Sequence, residues 1–461
     1  MMNDKEVLTE MELQNYLNEM LDKAGKALKD LETCTQEQVD EMAKVCAKAI
    51  YDNAEELARD AVDETGMGVY EDKVAKNKNK AKIIWWSLKD KPSVGIIERE
   101  PLTGIVKVAK PVGVVAAITP MTNPIVTPMS NAMFALKGRN PVIIAPHPKA
   151  MKCGVKAVNY MNQALRKIGA PENVIQILDI PNMQLTQNLM RAVDEVIATG
   201  GMAMVRSVYS SGKPALGVGA GNVQCLVDKD VNYEEAAKMI IAGRSFDNGI
   251  ICTGEQSVIA PREDFDKIME CFSANGAYVV PDSERDALRA AIFPGNEMAR
   301  ELIGQDADIV AKAAGISVPE GTKMLVVEAK DIEDVLGSEK MYPVLTSYRY
   351  DTWEEAIETA RQNLEKIGKG HSICVHSNNK EHVEEAALAC EVSRIVVNQS
   401  CASSGGGSFK NGLNPTNTLG CGTWGNNSIS ENLTYYHLLN ISRIANVLED
   451  RISPADEIIW A

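Results

Sequence analysis

Near the middle of the chain stands the sequence RSFDNGIICTGEQS, residues 244–257. An alanine-rich amphipathic pattern precedes it over residues 234–243, and an apolar run follows over 257–260. The stretch therefore predicts a helix, a glycine turn, a cysteine and a buried strand. Main-chain N–H groups at such a turn can stabilise a thiolate on Cys252 and a developing oxyanion. Free cysteine is also often buried, so Cys252 alone does not define a site.

Length and composition limit the class of protein. The chain has 461 residues, 45% of them hydrophobic and 24% charged, and this length predicts two or three domains. Its 63 acidic and 48 basic residues give a net charge of −15, which argues against nucleic acid or an anionic membrane as the main partner. The N-terminus has no apolar core typical of a secretory signal, and no apolar run is long enough to span a membrane.

The cysteines and histidines indicate compartment and metal content. Ten cysteines are scattered among apolar runs without a Cys-x-x-Cys pair, which is typical of reduced thiols in a cytoplasmic protein. The five histidines form no cluster with cysteine at ligand spacing, so we expect no metal site.

Strand and helix patterns alternate along most of the chain. Residues 7–90 carry helical patterns, and residues 93–110 predict a β-hairpin that must lie against another subunit or domain to be buried. The predicted strands that follow cover residues 112–118, 141–145, 174–178 and 195–199, then 224–228, 257–260, 323–328, 344–350, 372–376 and 393–398. The tail, 430–461, predicts another helix and an apolar stretch at 438–441. This alternation predicts an α/β fold with two parallel sheets and with ligands at the carboxyl ends of the strands.

Several short motifs each allow two interpretations. The Thr199-Gly200-Gly201 turn follows a predicted strand and opens a helix, so it either receives a pyrophosphate or is an ordinary glycine turn. Asn123 either donates its amide to an oxyanion or caps a helix. Glu339 precedes a strand, where a solvated turn is the more common case. His371 is either a general acid/base or a structural histidine.

Taken together, the motifs resemble the CoA-acylating branch of the aldehyde dehydrogenase superfamily. The matching segments are TPMTNP (119–124), TGG (199–201), FDNGIIC (246–252), EKMYPV (339–344) and LGCGTWGNNS (419–428). They stand in the order of that family and span about residues 10–446. The segments DETGMGVYE (63–71), APHPK (145–149) and SENLT (430–434) are most similar to members that act on succinate semialdehyde.

The resemblance implies a role for each matched residue. Cys252 matches the nucleophile and Asn123 the side-chain half of the oxyanion hole, while His371 stays a candidate acid/base. Glu339 matches the carboxylate that holds the nicotinamide ribose. The implied cofactor-binding residues are Thr119, Pro120, His147, Lys149, Thr199, Gly200, Gly201, Gly219 and Glu339.

One departure from the hydrolytic members of the superfamily implies the acyl acceptor. Their water-activating glutamate is replaced by Gly217 in the segment GVGAG, 217–221. Without that base, water attacks a thioester slowly, so CoA thiol is the implied acceptor. The implied reaction is reversible: succinate semialdehyde, CoA and NAD(P)+ give succinyl-CoA and NAD(P)H. Lys149 lies near the place of a ribose-binding glutamate, so we expect NADP, with NAD as the alternative.

Substrate choice, assembly and domain bounds complete the expectations. A substrate carboxylate needs a cation or several donors, and the candidates are Arg244, Ser403 and Ser404. Arg244 equally fits a helix-end cation.

The family has two Rossmann-like domains and a β-hairpin oligomerisation element, which implies a homodimer or a dimer of dimers. The predicted bounds are 1–92 and 111–222 for the cofactor-binding domain, 223–424 for the catalytic domain, and 93–110 and 425–461 for the oligomerisation element.

Two other functions remain open. The first is a CoA-acylating dehydrogenase for acetaldehyde or butyraldehyde. The second is a non-catalytic scaffold that keeps the fold, against which the intact set of Cys252, Asn123 and Glu339 argues.

Overall fold

A computed structural model describes residues 9–461. The first eight residues of the predicted segment 1–92 lie outside the described residues, as does the start of the helical pattern predicted from residue 7. The strands are β1 (Gly95–Glu100), β2 (Ile105–Pro111), β3 (Val115–Thr119), β4 (Val142–Pro146), β5 (Ile175–Ile177), β6 (Glu195–Thr199), β7 (Ala215–Val218), β8 (Val223–Val227), β9 (Glu255–Pro261), β10 (Ala277–Val279), β11 (Met324–Glu328), β12 (Val344–Tyr350), β13 (Gly370–His376), β14 (Val392–Val397) and β15 (Leu439–Ala445).

The helices fill most of the remaining chain. They are α1 (Glu10–Glu32), α2 (Gln36–Asp52), α3 (Ala54–Thr65), α4 (Tyr70–Leu88), α5 (Val126–Lys137), α6 (Met151–Lys167), α7 (Met183–Ala192), α8 (Met202–Tyr209), α9 (Tyr233–Ser245), α10 (Phe265–Ala274), α11 (Asp282–Ile292), α12 (Ala307–Ala313), α13 (Trp353–Lys366), α14 (Lys380–Ala389), α15 (Cys401–Ser404) and α16 (Asp456–Ile459).

The first parallel sheet has the strand order β5-β4-β3-β6-β7. From β3 the chain proceeds outward through β4 to β5, then returns to β6 on the other side, so the order reverses between β3 and β6. Ligands bind at such a reversal, outside the carboxyl ends of the strands. Helix α5, which follows β3, is buried along its whole length and forms part of the core with α2, so the loop before it is firmly anchored.

The second parallel sheet has the order β10-β11-β12-β9-β8-β13-β14. The predicted α/β fold with two parallel sheets is confirmed, and the strands β7 and β10 were not predicted. β7 has only four residues and β10 only three, so their apolar runs are too short to mark a strand clearly in sequence.

A three-stranded antiparallel sheet lies apart from the two parallel sheets, in the order β1-β2-β15. The predicted hairpin forms β1 and β2, and the apolar stretch at 438–441 begins the third strand, with Leu439 opposite Pro111. The chain's own tail therefore pairs with the hairpin. The helix predicted in the tail is limited to the four residues of α16.

No helix between residues 9 and 461 combines the length and the apolar character that crossing a membrane requires.

Candidate active site

A cavity of about 610 Å³ lies along the carboxyl edge of the first sheet. Its walls are the loops that follow β3, β4, β5, β6 and β7, closed on the other side by residues 249–252 before β9 and by Glu339 and Met341. A cavity of this size and depth at a reversal of strand order is typical of a cofactor site.

The cavity brings together most of the residues singled out in the sequence. The predicted site residues that line it are Cys252, Asn123, Thr119, Pro120, His147, Thr199, Gly200, Gly201, Gly219 and Glu339. Residues separated by more than two hundred positions thus meet in one space, which is the expected consequence of aligning parallel strands. The predicted site residues absent from its described lining are Lys149, Arg244, His371, Ser403 and Ser404.

A turn of left-handed residues leads into Cys252. Asp247, Asn248 and Gly249 have φ of 51°, 53° and 75° in succession, which ends the helical path of α9 and redirects the chain. A Cβ at Gly249 would collide with the Arg244 guanidinium and the Tyr342 carbonyl, so only glycine fits there. The turn leaves the Cys252 side chain partly exposed at the cavity wall.

The surroundings of Cys252 both raise and lower the pKa of its thiol. Burial and the neighbouring Glu339 carboxylate raise the pKa of the Cys252 thiol to about 11, while Arg394 and Lys80 lower it. Burial likewise raises the pKa of Glu339 to about 7, although the Gly221 N–H donates to Glu339 Oε1 over 3.3 Å. In the free protein Cys252 is therefore mainly a thiol at neutral pH, and added positive charge in the cavity would favour its thiolate.

This arrangement predicts the pH dependence of thiol alkylation. The rate of Cys252 alkylation by iodoacetamide should rise about tenfold per pH unit from pH 7 to 9, because the reactive thiolate is the minor form below its pKa. Glu339→Gln should react faster than the wild type at pH 8, since it removes a negative neighbour. The two rates should converge below pH 7, where Glu339 itself is protonated.

Glu255→Gln is the matched control for that experiment. Glu255 is fully buried, and burial raises its pKa to about 7 as it does for Glu339, but its carboxylate accepts the Cys401 N–H and is not among the groups that shift Cys252. It should leave the alkylation profile unchanged. Equal acceleration by both variants, or a plateau for the wild type near pH 8, would contradict the prediction.

Asn123 lies in the loop between β3 and α5, and its amide has a defined environment. The Lys76 ammonium donates to Asn123 Oδ1 over 2.9 Å, and Asn123 Nδ2 lies 3.4 Å from Thr122 Oγ1. The N–H₂ end of this amide therefore has no strong partner within residues 9–461, which is what an oxyanion donor requires.

Arg244 does not reach the cavity, so the structure corrects the substrate-binding role considered for it. Its side chain is fully buried, and its guanidinium donates to the main-chain carbonyls of Glu255, Gly249, Lys340 and Tyr342 at 2.6–3.1 Å. These bonds fasten the left-handed turn to the segment that carries Glu339. Arg244 is a structural residue of the site because both terminal nitrogens of its guanidinium donate to the main chain.

His371 and the two serines also lie outside the cavity. His371 is fully buried, and burial together with Arg394 holds its pKa well below the ordinary value, so it is neutral. A Cβ added to Gly221 would lie 3.1 Å from His371 Nδ1 and would collide with the Cys252 carbonyl, so the ring lies near the Cys252 main chain although it does not line the cavity. Ser403 donates to the Ser400 carbonyl and Ser404 is buried beside it. The structure thus separates the acid/base and serine candidates from the cavity.

Lys80, which sequence reasoning missed, is a cation near the nucleophile. Its ammonium donates to the carbonyls of Gly406 and Thr416 at 2.9 and 3.0 Å, and it lies close enough to Cys252 to lower the pKa of that thiol. Burial lowers the pKa of Lys80 to about 8. The signal in sequence was the spacing of Lys73, Lys76 and Lys80 along one face of α4.

Methionine is the second feature that was missed. Met121, Met151, Met183, Met190, Met204 and Met341 all line the cavity. Flexible thioether side chains fill irregular space and repack around different ligands. Such a wall suits a cavity that must accept ligands of different shape.

A Cys/His cluster forms in the core although none is visible in the sequence spacing. Cys225, Cys374 and His376 bring their ligand atoms within 4.8 Å of one another, and all three are buried. They meet because Cys225 and Cys374 are paired across β8 and β13. The sequence spacing did not indicate this cluster, because strand pairing sets these distances, and the expectation of no metal site stays a prediction.

Comparison with known proteins agrees with this geometry. The model of the aldehyde dehydrogenase family matches residues 5–292. The succinate-semialdehyde dehydrogenase (acetylating) of Clostridium kluyveri is 53% identical over 447 residues, which cover 96% of this chain and 98% of that protein. The crystal structure of an acetylating aldehyde dehydrogenase from Geobacillus thermoglucosidasius has a TM-score of 0.92 at 36% identity and covers 97% of this chain and 100% of that chain.

A third relative is a propionaldehyde dehydrogenase from Rhodopseudomonas palustris, solved with bound CoA and an acylated cysteine. It has a TM-score of 0.85 at 27% identity and covers 93% of this chain and 97% of that chain. The chain belongs to the aldehyde dehydrogenase family. Within that family it is of the CoA-acylating type, an NAD(P)-dependent oxidoreductase whose sequence is similar to the acylating succinate-semialdehyde dehydrogenase of C. kluyveri.

Proposed function

We propose that this enzyme interconverts succinate semialdehyde and succinyl-CoA. The observation that carries the proposal is the 53% identity to the C. kluyveri enzyme, and we propose the Lys80 ammonium, bonded to the Gly406 and Thr416 carbonyls, as the cation for the carboxylate that a semialdehyde has and a neutral aldehyde lacks. Two acceptors occupy two of its three protons, which leaves one for a substrate carboxylate. The similarity to the C. kluyveri enzyme supports the same substrate.

In the proposed mechanism the Cys252 thiolate adds to the aldehyde carbon. The Asn123 Nδ2 group and the Cys252 main-chain N–H donate to the oxyanion that forms, and stabilise it more than they stabilise the ground state. A bound NAD(P)+ supplies the hydride acceptor. The acyl group remains on Cys252 as a thioester until the CoA thiol attacks it and the Cys252 thiolate leaves.

The cavity residues fit a nicotinamide dinucleotide. Gly201 is the N-cap residue of α8 and has no side chain that could accept hydrogen bonds from the first N–H groups of the helix. These N–H groups can therefore donate to a pyrophosphate. A Cβ at Gly200 or Gly201 would meet only Met204 side-chain atoms at 3.7 Å or nothing. We propose that Thr199, Gly200 and Gly201 hold the pyrophosphate and that Glu339 binds the nicotinamide ribose.

Gly217 supports CoA over water as the acyl acceptor. It lies inside β7, and a Cβ there would lie 3.0 Å from the Tyr209 ring, whose hydroxyl also bonds the Gly217 main chain. A glutamate side chain at this position would have to displace Tyr209. The Tyr209 ring thus occupies the space that a water-activating glutamate at position 217 would need, so hydrolysis of the thioester stays slow.

The experiment that tests the substrate is a steady-state comparison of succinyl-CoA with acetyl-CoA and butyryl-CoA. The expected result is the highest kcat/KM with succinyl-CoA. Equal or lower turnover of succinyl-CoA would favour the alternative, a dehydrogenase for a short neutral aldehyde. Absence of turnover with all three would favour the scaffold.

Cofactor preference gives a second prediction. Lys149 is exposed in the turn after β4 and its N–H donates to Nδ1 of His147, which lines the cavity, so its ammonium can approach a 2′-phosphate. We expect a higher kcat/KM with NADPH than with NADH, and Lys149→Glu should reverse the preference by repelling the phosphate. Lys152→Glu, three residues further on and also exposed, is the matched control. An unchanged ratio in Lys149→Glu would contradict the assignment.

We further propose that the three-stranded sheet joins subunits into a homodimer or a dimer of dimers. Four apolar residues after β15 are each more than 70% exposed, a concentration of apolar surface typical of an interface: Val447, Ile452, Ile458 and Trp460.

The proposed domain bounds follow the sheets: 1–92 with 111–222, 223–424, and 93–110 with 425–461.

A further inference from the structure

The oxyanion role of Asn123 depends on which end of its amide faces the substrate. The N–H₂ end donates to a negative oxygen, whereas the carbonyl end repels it. Rotation of the amide by half a turn exchanges the two ends with little change in shape. A residue that bonds only one end therefore decides whether Asn123 acts in catalysis.

Lys76 is such a residue. Its side chain is 7% exposed, and its ammonium lies 2.9 Å from Asn123 Oδ1. An ammonium has only donors, so it can bond the carbonyl end and repels the N–H₂ end. The contact of Nδ2 with Thr122 Oγ1 is long, at 3.4 Å, and does not compete.

Lys76 is itself held by a buried carboxylate. Asp247 is completely buried, and its Oδ2 lies 2.6 Å from the Lys76 ammonium and 3.1 Å from that of Lys73. Its Oδ1 accepts the Val69 N–H over 2.9 Å. Burial raises the pKa of Asp247, but Lys76 and Lys73 outweigh that effect and hold it below the ordinary value, so the carboxylate stays charged.

Asp247 also belongs to the left-handed turn that leads to Cys252. The contacts therefore run in one chain from the nucleophile segment through Asp247 and Lys76 to Asn123. Gly68 lets α4 come this close, since a Cβ there would collide with the Asp247 carboxylate. One buried ion pair thus relates the oxyanion donor to the nucleophile.

We propose that Lys76 is a positioning residue that fixes the amide of Asn123 with its N–H₂ group toward the developing oxyanion. This inference rests on the proposed function, in which Asn123 stabilises that oxyanion. It assigns to α4 a part in the reaction that is separate from the substrate contact of Lys80.

The test compares Lys76→Met with Lys73→Met. Both variants remove one ammonium from Asp247, but only Lys76→Met frees the Asn123 amide. For succinyl-CoA reduction, kcat of Lys76→Met should fall on the order of 100-fold with little change in KM, as for loss of an oxyanion donor. Lys73→Met should keep most of its kcat, and both variants should show a lower Tm.

Two further measurements separate positioning from structural damage. The double variant Lys76→Met/Asn123→Ala should be no slower than Asn123→Ala alone, because both changes remove the same interaction. Alkylation of Cys252 by iodoacetamide should be unchanged in Lys76→Met, because that reaction uses no oxyanion. Additive losses, equal kcat in Lys76→Met and Lys73→Met, or parallel loss of alkylation would each overturn the inference.

Separate variants test whether a loss of activity comes from misfolding and whether Asn123 has its proposed role. If Lys76→Met is insoluble, Lys76→Met/Asp247→Asn tests the same Asn123 contact without the buried carboxylate, and its kcat relative to Asp247→Asn alone should again be on the order of 100-fold lower; an equal kcat would overturn the inference. Full activity of Asn123→Ala would refute the role proposed for Asn123. A slow Asn123→Ala beside a fast Lys76→Met would refute only the positioning role.

Discussion

Replacing Cys252 by alanine is expected to abolish acyl-CoA reduction, with a loss of more than about 10⁴-fold in kcat. The reason is chemical: the acyl group must be carried covalently between hydride transfer and CoA transfer, and alanine offers no atom that can hold it. Cys252 is only partly buried at the end of a turn, so the substitution should leave the fold intact. Steady-state assays with succinyl-CoA measure the loss, and thermal unfolding checks the fold.

Cys271→Ala is the matched control, because Cys271 is the other cysteine that is not fully buried within residues 9–461. It should retain wild-type activity. Mass spectrometry of the wild type with succinyl-CoA should find the acyl adduct on Cys252 alone. Residual turnover in Cys252→Ala, an adduct elsewhere, or release of free acid at the same rate without CoA would contradict the mechanism.

Replacing Lys80 by methionine should reduce kcat/KM for succinyl-CoA on the order of 100-fold while sparing butyryl-CoA. Methionine keeps the length and apolar stem of lysine, so the change removes a charged donor rather than packing volume. The substrate carboxylate would then enter a partly buried site without a counter-charge, which costs about 2–3 kcal/mol. Butyryl-CoA has the same chain length and no carboxylate, so it reports every effect except the charge.

The selectivity should also depend on pH, with a sign that follows from Lys80. Burial lowers the pKa of Lys80 to about 8, so the ammonium of the free enzyme is lost as pH rises through that value. The ratio of kcat/KM for succinyl-CoA to that for butyryl-CoA should therefore fall between pH 7 and 9. Lys78→Met, which changes a partly exposed neighbour paired with Glu55, is the control. Equal loss of both substrates in Lys80→Met would refute a carboxylate contact.

Much of the fold followed from the sequence because it depends on local patterns. The predicted strands at 195–199 and 344–350 match the structure residue for residue, the helical patterns predicted over residues 7–90 contain α1 to α4, and the α/β class is confirmed. Apolar runs bounded by turns mark strands that are buried on both faces of a parallel sheet. Where that signal is weak, as in β7 and β10, the prediction failed.

The site residues also divide into those that the sequence could single out and those that only the structure could place. Cys252, Asn123, Glu339 and Thr199 could be singled out because each stands at the end of a predicted strand or before one, and parallel sheets bring such ends to one edge. Their chemical roles stay predictions until the variants above are measured. Arg244 and His371 lie just as near to strands in sequence, but the structure turns both into the interior.

The sequence by itself determined the class of the protein, the alternation of its elements and the cysteine at the head of β9, because periodicity and the order of motifs are properties of the chain alone. Only the tertiary structure decided which cations lie near Asn123 and Cys252. Arg244 points inward to main-chain carbonyls, whereas Lys76 and Lys80 of α4 reach Asn123 and the surroundings of Cys252. The physical reason is that packing of α4 against the cysteine segment selects the helix face that carries these contacts, and the Lys76–Asp247 contact joins residues more than 170 positions apart.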